Sequence, residues 1–125
     1  MTENEITEII VDKCIKIHTR LGPGLLESVY EEVLFYELIN SKLECERQVN
    51  IPIIYDDIIF NLGYRLDIIV DDKVIIELKS IEHVLPVHKK QLLTYLKVTG
   101  KKVGLLINFN EDLIKNGIIR IVNNF

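Results

Sequence analysis

Two short, strongly hydrophobic segments of this chain carry charges where such segments can least accommodate them. Arg65-Leu66-Asp67-Ile68-Ile69-Val70 is followed by Asp71-Asp72-Lys73 and then by Val74-Ile75-Ile76-Glu77-Leu78-Lys79. Runs so rich in isoleucine and valine mark strands buried on both faces. A charge on such a strand is costly unless it is paired or holds an ion. Side chains alternate along a strand, so Glu77 and Lys79 share a face. A tight turn around Asp72 sets Asp67 nearly opposite Glu77, within about one residue of register. Two carboxylates and a lysine on one hairpin predict a metal site with a lysine beside it. The competing arrangement is a structural Asp67–Lys79 ion pair with Glu77 at a solvated edge, which leaves the second carboxylate without a role.

The rest of the chain supplies a frame for that hairpin. Ile6, Ile9, Ile10, Cys14, Ile17 and Leu21 form the stripe of an amphipathic helix over 4–21. Gly22-Pro23-Gly24 stops it and opens a second helix over about 24–41, with Leu26, Val29, Tyr30, Val33, Leu34 and Leu38 facing inward. Strands at about 45–55, 58–70 and 73–80 read as a meander. Pro86 opens a third helix, 86–99, which Gly100 ends. A strand at 103–109, a turn through 110–116 and a strand at 118–123 complete the order. Helices and strands in this sequence predict an α/β or α+β fold in which helices flank a mixed β-sheet. A chain of 125 residues without linker or repeat suits one domain, 1–125.

Charge and composition exclude several classes. A net charge of −4 argues against a protein that coats nucleic acid nonspecifically. From Lys79 to Lys102, however, six lysines stand against one acid, Glu82, together with His83 and His88. Basic charge beside a carboxylate cluster suits a phosphodiester approaching a bound metal; a solvated lysine-rich helix face is the plainer alternative. The acidic start has no apolar stretch of a signal peptide and no run is long enough to span a bilayer, so a cytoplasmic, membrane-free protein is expected. Cys14 and Cys45 lack zinc spacing and read as reduced packing residues. No Ser/His/Asp set, activated cysteine or phosphate loop is present.

Further candidates lie on the helices. Glu27 and Tyr30 stand at i, i+3 on the second helix, although a first-turn glutamate also favours the helix dipole and Tyr30 also suits a core position. Gln91 and Tyr95 stand at i, i+4 on the third helix, able to reach a phosphate or a water together, or to serve as ordinary surface polarity.

Taken together, these pieces resemble a known family. Gly24-x-x-Glu27-x-x-Tyr30 after Leu21-Gly22-Pro23 resembles the signature of the GxxExxY proteins, small prokaryotic proteins placed in the PD-(D/E)XK nuclease superfamily. Asp67 followed by Glu77-x-Lys79 resembles that superfamily's active-site motif, with Leu66-Asp67 in place of the usual Pro-Asp. Gln91-x-x-x-Tyr95 resembles the helix motif of its RecB-like members. The resemblance spans roughly residues 15–109. It implies a restriction-endonuclease-like core and Mg²⁺- or Mn²⁺-dependent hydrolysis of phosphodiester bonds in nucleic acid, with DNA the expected substrate. It implies Glu27, Asp67 and Glu77 as metal ligands and Asp67, Glu77, Lys79, Gln91 and Tyr95 as the catalytic set. Oligomeric state stays open, a homodimer included. The alternative is a non-catalytic nucleic-acid-binding or protein-interaction module that keeps the fold, since the superfamily includes members that only bind or scaffold; hydrolysis of a small nucleotide is a third reading.

Overall fold

Thr2 starts the first helix, α1 (Glu3–Leu21), with a reciprocal cap: the Glu5 N–H donates to Thr2 Oγ1, and the Thr2 N–H donates back to the Glu5 carboxylate. The computed structural model describes residues 1–61 and 64–125. After α1 come α2 (Glu27–Asn40), β1 (Cys45–Asn50), β2 (Ile53–Tyr55), β3 (Ile58–Phe60), β4 (Arg65–Val70) and β5 (Val74–Lys79). Helix α3 (Pro86–Thr99), β6 (Val103–Asn108), a 3₁₀ turn (Ile114–Gly117) and β7 (Ile118–Val122) follow.

Five strands form one mixed sheet in the order β1-β4-β5-β6-β7. β5 and β6 run parallel, joined by the α3 crossover, and every other neighbouring pair is antiparallel. Alternation then sorts the side chains of the central strands. Ile68, Val70, Val74, Ile76 and Leu78 pack under α1 and α2 with Ile10, Cys14, Tyr30 and Leu34. Ile69, Ile75 and Leu106 pack under α3 with Leu92, Tyr95 and Leu96. The sheet is therefore covered on both faces, as the hydrophobic character of β4, β5 and β6 requires. At Gly104 of β6 an added Cβ would lie 2.9 Å from a Leu92 methyl, so the absent side chain lets α3 seat closely. Among the described residues no helix is long and apolar enough to cross a membrane.

The mixed sheet flanked by helices is the expected architecture, and two details depart from expectation. The meander is interrupted: the run at 45–55 splits into β1 and β2, and of the run expected at 58–70 the two ends, β3 and β4, take different partners, residues 62 and 63 lying outside the described residues. β1 pairs with β4, while among the described residues β2 and β3 pair with each other as a separate two-stranded sheet. The Ile51 N–H still reaches the Tyr64 carbonyl at 2.8 Å. The next residue, Pro52, has no N–H to continue the ladder, so the chain leaves the sheet there. Asp56 and Asp57, both at left-handed φ (51° and 61°), close the resulting hairpin in the backbone shape that a two-residue turn requires. Ile54, Tyr55, Ile58 and Ile59 on it are exposed.

The second departure is the start of α2, three residues later than the glycine signal implied. Pro23 is not a first helical residue; the turn from Gly22 to Leu26 stays non-helical. Tyr30 holds it. Its hydroxyl donates to the Gly22 carbonyl at 2.6 Å and accepts from the Leu25 N–H at 3.2 Å, while its buried ring stacks on Phe109 with centroids 4.3 Å apart. Leu26 and Val29, expected inward, are consequently exposed. Tyr30→Phe is expected to cost about 1–2 kcal/mol, since the hydroxyl is buried with the ring and two backbone partners lose their bond. Urea unfolding of the variant checks this, and unchanged stability would mean that the hydroxyl does not hold the turn.

Candidate active site

The β4–β5 ladder is regular from Val70↔Val74 to Ile68↔Ile76 and then opens. Beyond that point the two carboxylates take over the strand donors. The Asp67 N–H donates to Glu77 Oε1 at 3.2 Å, and the Leu78 N–H donates to Asp67 Oδ2 at 2.7 Å. Each acid thus binds the other's strand, which fixes the pair across a splayed end of the hairpin. Glu77 lies two residues beyond Ile75, on the face that carries α3.

Burial defines the electrostatics. Glu77 is 8% exposed, and desolvation pushes its carboxyl up to about 8. The charge of Asp67 adds to that rise, Glu27 adds less, and the Asp67 N–H and Lys79 oppose it. Asp67 moves the same way, raised chiefly by burial and held down by the Leu78 N–H and by Lys79. Lys79 influences both acids without an ion pair to either among the described residues, where the ion pairs join Lys16 to Glu37, Arg47 to Glu32 and Lys101 to Asp72. The structural Asp67–Lys79 pair, with Glu77 left at a solvated edge, is therefore not what the chain forms.

Helix α2 brings a second pair of acids. Glu27 Oε2 accepts from the Ser80 N–H at 3.3 Å, just past the end of β5, beside a cleft of about 470 Å³ that Ser28 and Asn110 also line. One turn on, Glu31 accepts from Gln48 Nε2 at 2.6 Å. Gln48 stands opposite Asp67 where the β1–β4 register passes from Arg47↔Ile68 to Val49↔Leu66. Its φ of 51° interrupts the pairing at that one residue without ending β1, a conformation that costs an ordinary side chain of order 1–2 kcal/mol. Its amide also favours the ionised form of Asp67, whose charge in turn raises the Glu31 carboxyl behind the larger effect of burial. Glu31 and Gln48 were not legible as site residues from motif spacing, although Glu31 at i, i+4 from Glu27 was a detectable signal.

From the other face, α3 delivers Tyr95. Burial and then the Glu77 charge raise its hydroxyl to about 12, and Gln91 beside it acts in the opposite direction. Gln91 and Tyr95 thus meet each other, with Tyr95 near the carboxylates. Asn108 anchors the neighbourhood from beneath. It is fully buried and bonds the Ile81 backbone through both side-chain atoms, at 3.1 and 2.9 Å. The Phe109 N–H meanwhile donates to the Lys79 carbonyl at 2.9 Å. A polar residue closing the apolar strand Val103–Asn108 was the sequence signal for it.

Glu27, Asp67 and Glu77 are not gathered into one ready cluster: among the described residues no three Asp, Glu, His or Cys side chains converge as a metal cage. Asp67 and Glu77 form the pair, and Glu27 is held by Ser80. The donor chemistry nevertheless suits a hard divalent cation, which takes carboxylate oxygens. Acids buried against each other, with their carboxyls raised, resist ionising together, and a bound cation would offset the cost of their ionised forms. Cys14 and His18 make no such site. The Cys14 thiol is buried and raised by desolvation, and His18 Nε2 bonds the Glu111 carbonyl at 2.7 Å.

No curated protein and no solved structure matches the chain significantly. A family model does, over residues 4–121, nearly the whole length, and its description is that of the PD-(D/E)XK nuclease superfamily. With that match, and with crossed carboxylates on the splayed hairpin of a helix-flanked mixed sheet, the chain belongs to the PD-(D/E)XK nuclease superfamily.

Proposed function

We propose that the chain, as one nuclease domain of the GxxExxY type, hydrolyses phosphodiester bonds of nucleic acid with the help of Mg²⁺ or Mn²⁺. The observation that carries this reading is the reciprocal seizure of strand donors by Asp67 and Glu77. A fold gains little stability from burying two mutually repelling acids in place of two ladder bonds, so their value lies in what they bind.

In this reading Asp67 and Glu77 would hold the cation, and Glu27 would add to the set directly or through water. The cation supplies charge neutralisation and activation of water. Lys79 orients the attacking water and donates to the phosphate oxygens as negative charge grows on them. Water attacks phosphorus and gives up its proton to solvent, the bond to the leaving oxygen breaks, and that oxygen takes a proton from solvent. Gln91 and Tyr95 donate hydrogen bonds that position the phosphate. Tyr95, held well above neutral pH, stays protonated and so remains a donor throughout. Gln48 and Glu31 steady Asp67 from the other side.

The deciding experiment incubates the protein with end-labelled single- and double-stranded DNA and RNA, with Mg²⁺, with Mn²⁺ and with EDTA. Cleavage that requires the cation is expected; none under any condition would leave a binding module. Independently, Mg²⁺ is expected to raise the melting temperature by mass action, and Asp67→Asn to abolish that rise. A variant that responds like wild type would move the ion elsewhere.

A further inference from the structure

On the α3 side of the sheet lies a groove that phosphate chemistry alone does not use. It holds about 540 Å³ between α3 and the inserted hairpin, with Ile53, Val87, Tyr64 and Tyr95 as apolar walls and Lys90 and Gln91 on its lining. Tyr95 is 6% exposed and packed on the core. Tyr64 meets it edge to face, centroids 6.4 Å apart and planes at 63°, and is itself 45% exposed. A half-buried ring braced against a buried one forms a rigid aromatic surface. The Glu77 charge acts on the same Tyr95, so one wall of the groove lies within electrostatic reach of the carboxylates.

Charge indicates the occupant. The stretch from Lys79 to Lys102 carries six lysines and one acid, whereas the remainder has nine basic against eighteen acidic residues (15 − 6 and 19 − 1). The cationic part of an acidic chain is thus the part that includes α3, which lines the groove. An apolar slot with Lys90 on its lining, in the lysine-rich part of the chain, suits a polyanion with a flat aromatic appendage. In a duplex those rings are stacked and paired, and only a base that has left the stack can enter such a slot.

We propose that this groove receives an unpaired nucleobase against Tyr64, so that the substrate is single-stranded nucleic acid or an unpaired end. The inference rests on the nuclease reading of the neighbouring carboxylates and names the substrate class for it.

Fluorescence anisotropy tests it, with Ca²⁺ replacing Mg²⁺ to slow cleavage. Three probes are compared: a labelled dT12 strand, a blunt duplex of equal length and an abasic strand. The dT12 strand is expected to bind at least about tenfold tighter than the duplex. Tyr64→Ala is expected to weaken dT12 binding by roughly 5- to 150-fold, the range that stacking of one base commands. Tyr64→Phe should retain it, and the abasic strand should bind wild type as weakly as dT12 binds the alanine variant. Circular dichroism melts establish that both variants are folded. Equal affinity for strand and duplex, or unchanged dT12 binding in folded Tyr64→Ala, would overturn the proposal. Cation-dependent cleavage of blunt duplex by that same variant would do so while leaving the nuclease reading intact. Absence of cation-dependent cleavage on every substrate would instead remove that reading, and this inference with it.

Discussion

In protein stripped of divalent ions, Glu77→Gln is expected to raise the melting temperature markedly at pH 8 and to leave it close to wild type near pH 4.5. Burial pushes the Glu77 carboxyl from an ordinary 4.5 up to about 8, with Asp67 reinforcing the shift. Between those values the folded protein keeps a proton that the unfolded chain has released. The stabilising contribution is therefore complete below pH 4.5 and is lost as pH climbs through 8. At about 1.4 kcal/mol for each unit of separation, the loss reaches several kcal/mol. Glutamine mimics the protonated acid, still accepts from the Asp67 N–H through its carbonyl, and does not titrate. Asp67 is shifted in the same direction, so part of the decline survives in the variant.

Calorimetric scans from pH 4.5 to 8 in EDTA check this, and a variant that tracks the wild-type curve would locate the titration in another group. Adding Mg²⁺ at pH 8 should restore stability to wild type and much less to Glu77→Gln, because the variant has neither the charge to be relieved nor the ligand to relieve it. Stability and cofactor binding are thus read from the same carboxylate.

How far such a site can be read in advance depends on whether its parts are local. The Asp67–Glu77 relation was legible because a turn at Asp71-Asp72 fixes register, and register fixes which side chains meet. Helix α3 was legible to the residue, since Pro86 and Gly100 punctuate both ends and Gly100 takes the left-handed cap (φ 72°). Gln48 was not. Nothing near it in sequence announces a left-handed residue within a strand, and its partners Glu31 and Asp67 lie 17 and 19 positions away in opposite directions. The inserted hairpin was hidden for a related reason. Its hydrophobic run reads like a continuation of the sheet strands, and only the missing N–H of Pro52 betrays the departure. The late start of α2 follows from a tertiary bond, Tyr30 to Gly22, that outweighs the helix-starting signal at Pro23.

Lys79→Ala is expected to reduce cleavage by about 10²- to 10⁴-fold while the protein stays folded and still binds nucleic acid and Mg²⁺. Had Lys79 been the buried partner of Asp67, its removal would strand a carboxylate and cost about 3–5 kcal/mol. It is not so placed: Asp67 is held by the Leu78 N–H, Glu77 by the Asp67 N–H, and Lys79 acts on both only at a distance. Its backbone is independently fixed through the Phe109 N–H and, just beyond, by the grip of Asn108 on Ile81. Losing the amine therefore leaves the strand where it was and subtracts a charge from the reacting end of the hairpin. Lys79→Arg keeps the charge but replaces a compact ammonium with a planar fork, so it should recover binding more fully than turnover. Melting curves and single-turnover cleavage on both variants separate these effects. A large fall in melting temperature for Lys79→Ala would return Lys79 to a structural role, and a folded Lys79→Ala protein that cleaves at the wild-type rate would remove it from the chemistry.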